Sequence, residues 1–194
     1  MTELTVEKAI TWLTLFHDKI QANKAYLSEL DTPIGDGDHG NNMARGMTAV
    51  MASLADKTPD TLQDVFKQTA MALISKVGGA SGPLYGTAFL EMAKSAATTS
   101  DLSVLLASGL AGIEKRGGAV LGDKTMLDVW VPVLPEIAAG SLTAIEIDEF
   151  VMATAPLVAK KGRASYLGER SKDHIDPGSQ SSGYLFESLL EAIA

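Results

Sequence analysis

The chain has 194 residues, 46% of them hydrophobic, enough to bury one full core, and nothing in its composition is typical of disorder. Its 24 acidic and 16 basic side chains give a net charge of −8, which excludes sequence-independent nucleic-acid binding through counterion release. The absence of cysteine excludes disulfides, thiolate metal sites and cysteine nucleophiles. The acidic and polar start MTELTVEKAITWL, and the lack of an apolar run approaching ~18 residues, point to a cytoplasmic protein with no membrane segment, organised as a single domain over residues 1–194.

Helical periodicity dominates the chain. Val6, Ile10, Leu13, His17, Ile20 and Leu27 recur at spacings of three, four or seven and draw an apolar stripe along a first helix that ends at an acidic loop. A second helix runs from Asn41 or Asn42 to Ala55, and Thr58 with Pro59 supplies an N-cap and first-turn proline for a third that reaches about Val77. Gly78 and Gly79 stop it, Pro83 opens a fourth through Ala97, and Ser100 or Asp101 caps a fifth ending near Arg116, before Gly117 and Gly118. Further helical patterns cover 125–139, 143–160 and 179–193, with Pro132, Pro135 and Pro156 as potential interruptions. About eight helices and few alternating strand patterns predict an all-α barrel or bundle. Helices of alternating direction would bring every second loop to one end, where the glycine-rich stretches can converge on a ligand.

The decapeptide DTPIGDGDHG places Asp31, Asp36 and Asp38 within ten residues broken by proline and glycine. Carboxylates this dense repel one another unless a cation neutralises them, and hard oxygen ligands suit magnesium or calcium. A solvated acidic turn is the competing reading. An EF-hand is excluded, because counting from Asp36 puts Asn41 where the loop needs glycine and Met47 where it needs the terminal glutamate. His39 is the histidine best placed to touch a phosphate or metal-bound oxygen, whereas His17 belongs to the packed stripe and His174 to a polar loop.

Two further loops carry possible phosphate chemistry. VGGASGPLYG, residues 77–86, allows backbone amides and Ser81 to approach an anion at a helix start, or else allows tight helix packing. GGAVLGDKT, residues 117–125, approaches a Walker A pattern, but Asp123 intrudes before Lys124 and the preceding segment is helical rather than a strand, so a P-loop fold is rejected. The stretch from Lys160 to Gly183 concentrates five basic residues in an acidic chain, and reads as a solvated linker or as a cover over phosphates. In the second reading Arg163 or Arg170 offsets charge on a transferred phosphoryl group, and Asp176, Pro177 and Gly178 form a turn that exposes backbone groups.

In order, GDGDHG with Asp31 upstream, VGGASGPLYG, GDKTMLDVW, KGRASYLGERS and HIDPG closely resemble the nucleotide-binding L subunits of dihydroxyacetone kinases, over essentially the whole chain. The resemblance implies an up-and-down barrel of eight antiparallel helices that holds ADP or ATP and two magnesium ions at one end. It implies that Asp31, Asp36 and Asp38 are the metal ligands, that His39, Gly40, Asn41 and Asn42 lie along the phosphates, and that Ala80 and Ser81 belong to the phosphate loop. Gly117, Thr125 and Met126 would line the nucleotide pocket, with Arg163 as the catalytic arginine and Asp176, Pro177 and Gly178 from the covering loop. The isolated L-like chain further implies a retained ADP that a phosphohistidine-carrying subunit of the sugar phosphotransferase system phosphorylates, and the ATP formed then phosphorylates dihydroxyacetone on a K subunit. The alternatives are an ATP-dependent kinase subunit and a nucleotide-loaded regulatory module that binds a transcription factor; a homodimer is compatible with each.

Overall fold

A computed structural model describes residues 2–194. It is all-helical: α1 (Val6–Asp31), α2 (His39–Asp56), α3 (Leu62–Lys76), α4 (Ser81–Ser95), α5 (Leu102–Gly117), α6 (Leu127–Ala139), α7 (Ala144–Met152) and α8 (Pro177–Ile193), with a 3-10 segment, Arg163–Ser171, between the last two. Among the described residues β pairing is confined to an isolated bridge between Glu3 and Asp101. Each α-helix packs on the next in sequence, and α8 returns onto α1, so the helices form a closed circuit.

The helix starts show why these segments fold where they do. Thr5 accepts the Lys8 N–H at 3.1 Å, Thr61 the Asp64 N–H at 3.1 Å and Asp101 the Ser103 N–H at 2.9 Å, while Thr143 and Glu146 form a reciprocal capping box. The third helix is therefore capped by Thr61 rather than Thr58, because that register points Leu62, Val65 and Phe66 into the core. The fourth starts at Ser81, two residues before Pro83, whose missing N–H falls in the first turn and costs nothing there. Pro132 and Pro135 do not break α6, where Leu127, Val129, Trp130, Val133 and Ile137 are all buried. The seventh helix is shorter than expected and stops at Met152, ahead of turns around Pro156.

The buried face of α1 is rotated slightly from the expected stripe. Ala9, Trp12, Leu13, Phe16, Ile20 and Leu27 are buried, whereas His17 sits at the edge and pairs with Asp18 at 2.9 Å. Trp12 anchors the circuit: its indole N–H donates to the Leu185 carbonyl of α8 at 2.8 Å, and its ring meets Phe66 and Phe89 at 6.4 and 5.9 Å. A second aromatic pair, Trp130 and Phe186 at 4.9 Å, joins α6 to α8. No helix among the described residues is long and apolar enough to cross a membrane.

The start of α2 lies directly on α1. A Cβ added to Gly40 would fall 1.8 Å from the Lys24 carbonyl oxygen, a backbone atom that cannot move without displacing the helix. Gly40→Ala is expected to destabilise the fold by about 1–3 kcal/mol through forced separation of the two helices. Urea denaturation checks this; a midpoint equal to that of the wild type would show that the contact is not tight.

Candidate functional site

Four loops meet around one cavity of about 220 Å³. The α1–α2 loop contributes Asp31, Asp36, Asp38 and His39; the α3–α4 loop, Gly78 to Ser81; the α5–α6 loop, Lys124 to Met126; and the α7–α8 connection, Lys161 to Ala164 and Asp176 to Gly178. These are every second loop of the chain, as alternating helix directions require. A neighbouring cavity of about 230 Å³ shares Ala80, Leu84, Thr125, Met126, Lys161 and Gly162 with the first and adds Gly117 and Arg116.

The acidic cluster is built by local geometry. Asp31 closes α1, and its Oδ2 accepts the backbone N–H groups of Asp38 at 3.0 Å and His39 at 3.2 Å, which folds the loop back over the helix end. Gly35 makes room for this, since a Cβ there would lie 2.0 Å from Asp31 Oδ1. The carboxylates of Asp31, Asp36 and Asp38 each offer an oxygen within 4.8 Å of the others, a hard-ligand set that fits magnesium. Partial desolvation and the neighbouring Asp38 raise the Asp36 carboxyl above its ordinary value, while Arg163, at 2.8 Å, opposes the shift. Arg163 thus already serves as a countercharge within the cluster.

Anion-binding capacity comes from the helix starts. Asp38, Ala80 and Met126, which precede α2, α4 and α6, make no side-chain cap, and all three line the main cavity. Helices α1, α3, α5 and α7 are all capped by a side chain. At α2, however, the His39 and Gly40 N–H groups donate to Asp31 Oδ2 and Ser28 Oγ, each at 3.2 Å, and at α6 the Leu127 N–H donates to Thr125 Oγ1 at 3.2 Å. Of the three, the start of α4 at Ser81 and Gly82 is left open to a ligand, with the positive ends of all three dipoles beside the cavity. The fourth helix that starts here, α8, is capped by Asp176, which accepts the Ser179 N–H at 2.7 Å.

Deeper in the site the polar groups are tied together. The buried His39 ring has Nδ1 3.2 Å from Ser81 Oγ and Nε2 3.0 Å from Ser181 Oγ, and burial lowers its pKa to about 4, so it is a neutral imidazole. Ser181 and Ser182 each lie 2.8 Å from the Tyr85 hydroxyl, and the Trp130 indole N–H donates to Ser182 Oγ at 3.2 Å. Arg45 donates to Asn42 Oδ1 at 2.6 Å, which leaves the Asn42 amide N–H groups as donors toward the cavity.

Of the residues singled out from sequence, Asp31, Asp36, Asp38, His39, Asn42, Ala80, Ser81, Thr125, Met126, Arg163, Asp176, Pro177 and Gly178 line the main cavity, and Gly117 lines its neighbour. Gly40 faces α1 and Asn41 is exposed; neither lines a cavity. Arg163, not Arg170, is the arginine at the site. Gly35, Lys161 and Lys124, which the sequence offers only as members of their loops and not as site residues, also line the main cavity. The spacing of Gly35 between two aspartates is the signal that points to it, whereas nothing local distinguishes Lys161 from its neighbours.

The fold and cavity define an all-helical protein whose loops join a carboxylate cluster to a set of helix N-termini. Residues 33–191 match the DAK2 domain family. The chain is 56% identical over 191 residues to the ADP-binding subunit DhaL of the PTS-dependent dihydroxyacetone kinase of Lactococcus lactis, covering 98% of this chain and 100% of that one. It is 38% identical to the ADP-binding subunit DhaL of the PEP-dependent dihydroxyacetone kinase of Escherichia coli, covering 96% of each. The dihydroxyacetone kinase of C. freundii, in complex with AMP-PNP and Mg2+, superposes with a TM-score of 0.77 at 24% identity over 98% of this chain, which spans 34% of that kinase's length. The chain belongs to the DAK2 domain family.

Burial raises the Asp176 carboxyl from its ordinary 3.8 to about 7. The folded state thus binds a proton that the unfolded chain releases between these values, so the contribution of Asp176 to stability is full below about pH 4 and is lost as pH rises through about 7. Wild type is expected to lose ~4 kcal/mol relative to Asp176→Asn across that window. Paired urea titrations from acid to mildly alkaline pH check this; parallel curves would show that the carboxyl titrates normally.

Proposed function

We propose that this chain is the ADP-binding subunit of a phosphoenolpyruvate-dependent dihydroxyacetone kinase, working in the cytoplasm. The observation that carries the reading is the convergence of Asp31, Asp36 and Asp38 with the open start of α4 and the positive ends of α2 and α6 around one cavity, since a cation–anion pair such as Mg-ADP answers both the carboxylates and the helix ends. The likeness to ADP-binding subunits along almost their entire length supports the placement of this chain in such a kinase.

In this reading the three aspartates hold two magnesium ions, and bound magnesium neutralises charge on the phosphates. Backbone N–H groups at the start of α4, with Ser81 and Asn42, hold the phosphate oxygens, while His39 and Gly40, whose N–H groups donate to Asp31 and Ser28, order the loop beside the phosphates and pack it against α1. Thr125, Met126 and Gly117 line the space that continues into the second cavity, which takes the nucleoside. Arg163 swings between Asp36 and a transferred phosphoryl group, offsetting charge there as the catalytic arginine. Asp176, Pro177 and Gly178 close the site from the start of α8.

The chain presents no cysteine and no free histidine at the cavity, so it supplies position and electrostatics rather than a nucleophile. A phosphohistidine-carrying subunit of the phosphotransferase system charges the resident ADP, and the dihydroxyacetone-binding K subunit takes the phosphoryl group. Reconstitution with both partners tests this: turnover should require the phosphohistidine donor, and full activity on exchangeable ATP alone would assign the chain to an ATP-dependent kinase instead. Asp36→Ala and Asp38→Ala should each weaken magnesium-dependent ADP binding about 10- to 100-fold. Unchanged affinity by calorimetry would refute the metal assignment.

A further inference from the structure

Lys124 combines three features that the proposed chemistry leaves unused. Its side chain is only 2% exposed, although it stands in a loop at the cavity. Its φ is 62°, a left-handed backbone that a residue with a Cβ keeps only where its surroundings over-determine it. Its ammonium is held by carbonyl dipoles: Nζ donates to the backbone oxygens of Thr154 at 2.9 Å, Ala155 at 3.1 Å, Leu157 at 3.2 Å and His174 at 2.5 Å. Four oxygens around three N–H groups form a cage of the kind that takes a bare monovalent cation.

The four oxygens come from both ends of one excursion. Thr154, Ala155 and Leu157 follow α7, and His174 lies two residues before Asp176, the cap of α8. Between these ends the chain runs out over the cavity and carries Arg163. The base of this loop is closed further by the Asp173 N–H donating to Ala155 O at 2.8 Å, and Lys160 N–H donates to Asp123 O at 3.0 Å. Removal of the ammonium leaves four carbonyls, one buried and three partly buried, facing one another without a donor, and their repulsion opens the base.

We propose that Lys124 is a positioning residue: its ammonium acts as a built-in cation that closes the base of the covering loop, residues 157–174, and thereby sets how long the nucleotide stays in the cavity. The inference rests on the reading of this cavity as an ADP site.

The test is the rate at which radiolabelled Mg-ADP leaves the full-length chain, wild type against Lys124→Ala. Release should be about tenfold faster in the variant. Propylammonium chloride should restore slow release by refilling the cage, whereas tetramethylammonium chloride at equal ionic strength, which has no N–H donor, should not. Unchanged release, or fast release that propylammonium leaves fast, overturns the role of Lys124. A wild type that does not retain ADP overturns the nucleotide reading itself and this inference with it. If Lys124→Ala does not fold, wild type labelled with 15N at the lysine side chains decides: an ammonium signal protected from solvent exchange supports the cage, and its absence removes it.

Discussion

Opposite electrostatic demands meet at one end of this protein, and the rest of the structure depends on how they are reconciled. Asp31, Asp36 and Asp38 crowd three carboxylates together, which calls for a cation, and the positive ends of α2, α4 and α6 meet beside them, with the start of α4 open, which calls for an anion. Either set alone is poorly satisfied. Asp31 is answered by the N–H groups of Asp38 and His39, and Asp36 by Arg163, so the chain offsets part of the repulsion with its own groups. A divalent cation carrying phosphates answers both demands at once. The starts of α1, α3, α5 and α7, each closed by its own threonine or aspartate, show the contrast with α4, which follows Ala80 and has no side-chain cap.

The arrangement is held by a buried chain of polar groups that links those same helices. His39 and Ser81 open α2 and α4; Ser181 and Ser182 lie in the early turns of α8; Tyr85 and Trp130 reach the chain from α4 and α6. Each hydroxyl is shared between two elements, and among the described residues no buried side-chain polar atom is left without a partner. Such a network is costly if any member shifts, so it fixes the relative depth of the four helix starts. His39 is best understood in this light. Both of its ring nitrogens are committed to serines, and burial keeps it neutral, so it orders the site and does not carry charge or phosphate.

Much of this was legible in the sequence because the decisive elements are local. DTPIGDGDHG needs only its own backbone to bring three aspartates together, and the glycine-rich stretches mark the turns at which helices reverse. What was not legible depends on distant partners. Gly40 reads as part of the phosphate loop, yet its role is set by the Lys24 carbonyl on another helix. Thr58–Pro59 is as good a local start as Thr61, and only the burial of Val65 and Phe66 decides the register. Pro132 and Pro135 read as breaks, but the apolar face of α6 is buried strongly enough to keep the helix continuous. Lys124 was weighed as a phosphate-loop lysine because of GDKT, whereas its acceptors come from Thr154 to His174, far along the chain.

These two kinds of information divide the site mechanically. The side built from α2, α4 and α6 is rigid, since its helix starts are part of the packed circuit and share the buried polar chain. The α7–α8 connection is different: it has one short 3-10 segment, and Arg163 and Tyr166 on it are largely exposed, 70% for the arginine side chain and 88% for the tyrosine. Few apolar contacts hold such a segment, so it belongs to the low-stability end of the molecule. Under the proposed relay, two partners in turn would have to reach one nucleotide, and that favours a packed floor beneath a more exposed cover. The charge pairing fits this division, because the contact that joins the outer part of the cover to the acidic floor is Arg163–Asp36, an exposed ion pair of the kind that contributes little to stability and breaks easily, whereas the base of the cover is tied down at Lys124.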